Sequence, residues 1–122
     1  MREPWNASFD EIRAWAIRDA GWPDQDWDIA ISSLLTPQEF ALLLTDPAIE
    51  AEMRHFLIRC LYIYTGDAVR TRDQASITEI MRFIDASPLT ETALAQWAKD
   101  ARHLIAHPET YRYAIWGGSH RR

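Results

Sequence analysis

Residues 48–69, AIEAEMRHFLIRCLYIYTGDAV, decide the fold. At helical spacing Ile49, Met53, Phe56, Leu57, Cys60, Leu61, Tyr64 and Ala68 share one broad face, and Ile58, Tyr62 and Val69 form a second apolar strip almost opposite. A helix that is apolar on two sides is covered on two sides, so the spacing predicts a central helix over about 48–69 with shorter helices laid against it. Phe56–Tyr64 taken alone has strand character, being rich in aromatic and branched residues. Glu50, Ala51, Glu52, Met53 and Arg54 lead into it without a turn, however, and the total length is helical. Gly66 costs about 1 kcal/mol relative to alanine inside a helix. It therefore marks either a close helix crossing or the helix end.

Upstream, Ser8-Phe9-Asp10-Glu11 is a capping box: the Ser8 hydroxyl accepts a free helix N–H and Glu11 reaches back to the cap. Phe9, Ile12, Ala16 and Ala20 follow at helical spacing with Trp15 beside them, until Gly21 and Pro23 stop the helix. A second helix begins near Asp26, with Trp27, Ile31, Leu34 and Leu35 as its buried stripe. Thr36-Pro37-Gln38-Glu39 joins a capping threonine, a proline at the first helical position and a glutamate at the third, and opens a helix with Phe40, Leu43 and Leu44 inward. Asp46-Pro47 repeats the device and is expected to launch the central helix.

Downstream, Ile77, Ile80, Met81 and Ile84 mark another helix, capped by Asp73 or by Ser76 with Glu79. Ser87-Pro88 is expected to open the next, in which Leu94, Trp97, Ala98, Ala101, Leu104 and Ile105 face in and Lys99, Asp100 and His103 face out. Pro108 stops it, because the residue before a proline is pushed out of helical geometry. Tyr111–Trp116 is either a turn of helix or an extended aromatic strip. The expected fold class is all-α: a compact bundle of five to six helices, forming a single domain over residues 1–116, followed by a flexible basic tail over 117–122.

The composition, 48% hydrophobic and 25% charged, is that of a globular chain. No run approaches the roughly 20 apolar residues that cross a bilayer, and the start has no apolar signal core, so the expectation is a cytoplasmic protein with no membrane contact. Cys60, the single cysteine, lies on the predicted core face and reads as a buried thiol. Asn6-Ala7-Ser8 matches a glycosylation sequon, which carries no meaning in a chain read as cytoplasmic. The net charge of −5 is unevenly spread: residues 1–50 hold ten acidic and three basic side chains. That balance opposes general nucleic-acid binding and suits a basic protein partner.

The acidic stretch Trp22-Pro23-Asp24-Gln25-Asp26-Trp27-Asp28 begins like a calcium loop. Such a loop needs glycine at its sixth position and glutamate at its twelfth, where Ile29 and Leu35 stand. Trp22, Asp24, Asp26, Trp27 and Asp28 are instead the candidate partner-binding residues: aromatic anchors ringed by acid, opposed to a reading in which the tryptophans pack between the first two helices. Glu52, His55, Arg59 and Tyr62 fall on one flank of the central helix, as a candidate polar cleft for an anion or small acid or as a seam between helices. His103 and His107, four apart, could share a metal, but Leu104 stands where a zinc protease has glutamate and no third ligand is evident. No metal or cofactor is expected.

Arg102-His103-Leu104-Ile105-Ala106-His107 also reads as Arg-x-x-x-x-His with a polar residue after the arginine. This resembles the signature of the HEPN superfamily, small all-helical and commonly dimeric proteins, many of them metal-independent ribonucleases of toxin and defence systems. The resemblance covers these six residues and departs from the pattern at Pro108. It implies an RNA substrate, a homodimer, and catalytic roles for two side chains. His107 would move a proton at the ribose hydroxyl or leaving oxygen, and Arg102 would neutralise charge on the phosphate. Trp97–Gly118 is in addition similar to bacterial helical domains without an assigned activity, from which no residue role carries over. With no nucleophile elbow, phosphate loop or cysteine cluster in the sequence, the leading expectation is a non-enzymatic domain that binds another protein through its acidic, tryptophan-bearing front. A bacterial immunity, inhibitor or antitoxin-like role fits that description, and the HEPN-like ribonuclease is the alternative.

Overall fold

The structure, a computed structural model, describes residues 5–18, 27–86 and 88–117. It is all-helical: α1 (Phe9–Arg18), α2 (Trp27–Ser32), α3 (Pro37–Leu44), α4 (Ala51–Arg70), α5 (Gln74–Ala86), α6 (Thr92–Ala106), a 3-10 turn (Pro108–Thr110) and α7 (Tyr113–Trp116). Among the described residues there are thus seven α-helices, one or two more than the spacing predicts, because the aromatic strip near the end forms a turn of its own. The chain resolves into two compact units, Met1–Leu61 and Tyr62–Arg122, with the boundary inside α4.

In the first unit the local caps form as the sequence dictates. The Ser8 hydroxyl accepts from the Glu11 N–H (3.1 Å) and Glu11 accepts from the Ser8 N–H (3.0 Å). Thr36 and Glu39 make the same reciprocal pair at the start of α3. The inward stripes Ile12, Trp15 and Ala16 of α1, Ile31 of α2, and Phe40, Leu43 and Leu44 of α3 are buried together with Met53, Phe56, Leu57, Cys60 and Leu61 of α4. The Trp15 ring stands edge-on to Phe56 at 6.1 Å.

Asp46-Pro47 does not launch the central helix. The Asp46 carboxylate accepts from the Ala48 N–H (2.9 Å) and from Arg13 of α1 (2.7 Å), which closes a turn instead. The α4 ladder begins one turn later, where the Arg54 N–H donates to the Glu50 carbonyl. The backbone N–H of Ala48 first, and the Arg13 guanidinium second, hold the Asp46 carboxyl below its usual range.

In the second unit, Ile63, Ala68 and Val69 of α4, Ile80 and Ile84 of α5, Leu94, Trp97, Ala101 and Leu104 of α6, and Trp116 of α7 are buried. The helix runs through Gly66, which is a close crossing and not a helix end: a Cβ there would stand 2.5 Å from the Trp116 Cβ and 3.0 Å from the Trp116 carbonyl oxygen. Asp73 caps α5, accepting from the Ser76 N–H. The expected start of α6 at Ser87-Pro88 is corrected to Thr92, with Glu91 as cap accepting from the Leu94 N–H (2.8 Å). Leu89 is only half-buried, and the fully buried stripe that anchors the helix begins at Leu94. Pro108 ends α6 as expected, with His107 at the cap.

α4 ends in a Schellman motif: the Asp73 N–H donates to the Ala68 carbonyl (2.8 Å) and the Arg72 N–H to the Val69 carbonyl (3.1 Å). Arg72 occupies the left-handed position with φ 58°. Glycine adopts that geometry without steric cost, so Arg72→Gly is expected to stabilise the protein by about 0.5–1 kcal/mol, read as a raised urea midpoint. Destabilisation would mean that the Arg72 side chain contributes more than its backbone strain removes.

No helix among the described residues is long and apolar enough to cross a membrane. The proposed flexible tail lies, apart from Gly117 at the end of α7, outside the described residues.

Candidate functional site

Of the acidic docking stretch, Trp22, Asp24 and Asp26 lie outside the described residues. Trp27 is half-buried and its ring packs 5.1 Å from that of Trp15, which puts it in contact with the first helix. Asp28 is only 1% exposed, so it is not part of an open acidic surface. Its carboxylate accepts from the Ile29 N–H (2.8 Å) at the start of α2. Spacing carries the signal for this: Asp28 stands three and seven residues before Ile31 and Leu35, on the stripe that faces the core. The same unit leaves large apolar side chains in the open, with Trp5 53%, Ile29 46% and Leu42 55% exposed.

On the flank of α4, Glu52 and His55 are exposed and Arg59 is 7% exposed. Tyr62 belongs to the second unit, where its hydroxyl donates to the Asp100 carboxylate at 2.5 Å. Asp100 therefore does not face solvent as the spacing predicts. It is half-buried and holds the first turn of the unit's share of α4 to α6.

The late polar residues are all at the surface. Arg102 is exposed and donates to Asp85 at the end of α5 (2.6 Å). His103 and His107 are exposed, with ring centroids 5.0 Å apart. His107 Nδ1 lies 3.6 Å from a Glu109 carboxylate oxygen. Among the described residues no three His, Cys, Asp or Glu side chains converge as a metal site.

Sequence reasoning missed the polar contacts that tie the second unit together. Trp97, fully buried, donates its indole N–H to the Thr65 hydroxyl (2.9 Å), and its ring lies 6.2 Å from Phe83. Tyr64 donates to Glu79 of α5 (3.1 Å). Burial, with the negative charge of Glu79 beside it, pushes the Tyr64 hydroxyl up to about 12, and burial with the Asp100 bond raises Tyr62 further still.

Both tyrosines are thus held protonated by the fold, whereas in the unfolded chain they ionise near about 10. Their stabilising contribution is complete below that value and disappears as pH rises through the folded-state values. The urea midpoint should fall between pH 10 and about 12, and Tyr64→Phe should flatten that fall. An unchanged slope in the variant would show that Tyr64 ionises alike in both states.

Comparison with protein-family models, with curated proteins and with solved structures finds no match to this chain.

Proposed function

We propose that this chain is a non-enzymatic cytoplasmic domain whose first unit docks a basic protein partner, in the manner of an immunity, inhibitor or antitoxin protein. The observation that carries the reading is the charge contrast between the units. Residues 1–61 hold eleven acidic and five basic side chains, net −6, whereas residues 62–122 hold seven and eight, net +1. Exposed Ile29 and Leu42 in the acidic unit supply the apolar contact that an interface centre needs, and the unit's net negative charge supplies steering and partner choice. Burial of Asp28 narrows the acidic contribution of the stretch to Asp24 and Asp26.

The ribonuclease alternative requires Arg102 and His107 to meet on one phosphodiester, and the bond from Arg102 to Asp85 works against it. The test of the docking reading is capture from native cell extract with wild type and with Asp24→Asn/Asp26→Asn. A partner held by wild type at low salt, shed as ionic strength rises and lost by the variant is the expected result. Equal recovery by both proteins of every partner would contradict it. Incubation with mixed RNA in EDTA is the companion test, with no cleavage expected. Cleavage abolished by Arg102→Ala/His107→Ala would replace the docking reading with the ribonuclease.

A further inference from the structure

The second unit contains a groove of about 420 Å³ on α6, the 3-10 turn and α7, lined by Lys99, Asp100, His103, Leu104, Ile115 and Trp116, with Thr110 at its edge. Its floor is apolar: Leu104 is 1% and Trp116 5% exposed, and Ile115 presents the open wall. The volume lies within the range of small-molecule sites.

The polar groups at the rim are unequal. Both oxygens of Asp100 accept hydrogen bonds, one from the Tyr62 hydroxyl and the other, at the surface, from the Gln96 amide (3.0 Å). Thr110 donates its hydroxyl to the His107 carbonyl (2.7 Å). Lys99, the chain's only lysine, is exposed and makes no ion pair among the described residues. His103 sits one turn further along α6, exposed, with its ring centroid 5.0 Å from that of His107. The groove therefore offers the Lys99 ammonium and the His103 ring over an apolar wall, beside an Asp100 carboxylate that already accepts two hydrogen bonds.

We propose that this groove binds a small apolar carboxylic acid, its ring or branched chain on Leu104, Ile115 and Trp116 and its carboxylate taken by the Lys99 ammonium and the His103 imidazole. A neutral ligand of the same shape leaves the Lys99 ammonium without a counter-charge. The proposal concerns the second unit alone and stands apart from the docking reading of the first.

The experiment titrates the full chain with phenylacetate, hydrocinnamate and indoleacetate, followed by NMR shifts of the Lys99 side chain and the Thr110, Ile115 and Trp116 amides. Acetate, phenylacetamide and phenethylamine are the matched controls. The expected result is saturable shifts at those groups with at least one aromatic acid, at a dissociation constant of about 1 mM or tighter. The acid should bind about tenfold more tightly than acetate or the amide. Lys99→Met keeps the exposed stem and removes the charge; it should weaken the acid about tenfold and leave the amide unchanged. Absence of saturable shifts with all three acids, equal binding of acid and amide, or indifference to Lys99→Met would each overturn the proposal.

Discussion

Trp97→Ala is expected to cost about 3–5 kcal/mol, a large share of the about 5–15 kcal/mol that holds a domain folded. Trp97 is fully buried in the second unit, and the unit is organised around it from three helices: Phe83 of α5 lies against its ring, Thr65 of α4 accepts its indole proton, and its own α6 supplies the backbone. Truncation removes the apolar area and leaves a cavity that the neighbouring helices can only partly fill. Trp97→Phe separates the two contributions, since it retains most of the ring and loses the indole N–H. Its cost should be smaller, with about 1–2 kcal/mol of it attributable to the lost hydrogen bond. Urea denaturation checks both variants, with the slope watched for loss of two-state behaviour. A loss below about 1 kcal/mol for Trp97→Ala would mean that the ring is not buried as described.

Gly66→Ala should destabilise as well, although helix propensity favours alanine there by about 1 kcal/mol. The new methyl group would meet the Trp116 Cβ and carbonyl oxygen and, at 3.2 Å, the Tyr111 ring. Two of these three atoms are backbone or next to it, so no side-chain rotation relieves the crowding and the α7 turn has to move. Overpacking of this kind costs about 1–3 kcal/mol and here exceeds the propensity gain. Hydrogen exchange at residues 111–117 should rise more than elsewhere, because α7 is a single turn held down by Trp116 against Val69 and Leu104. A stabilised variant would show that the turn does not sit on Gly66.

What the sequence reveals and what it hides divide along a physical line. The Ser8 and Thr36 caps are legible because both partners lie within one turn and the reciprocal bonds need nothing else. Asp46-Pro47 carries the same type of signal and fails as a helix start, since Arg13 reaches its carboxylate from 33 residues away and local pattern holds no trace of that. The buried stripes of α1, α3, α4 and α6 follow their apolar spacing closely, as burial dominates the energetics of each.

Polar residues are harder to place, because a hydrogen bond across the fold can reverse their position. Asp100 reads as solvent-facing and turns inward to Tyr62, 38 residues earlier. Asp28 is the instructive case. Its acidity points to the surface, its spacing with Ile31 and Leu35 points to the core, and spacing prevails.

The docking reading is tested most directly by hydrogen–deuterium exchange on the full chain, alone and saturated with the protein it captures. New protection should fall on peptides from residues 1–61, above all those spanning Asp24, Asp26, Ile29 and Leu42, with residues 62–122 unchanged. Protection confined to residues 62–122 would contradict it.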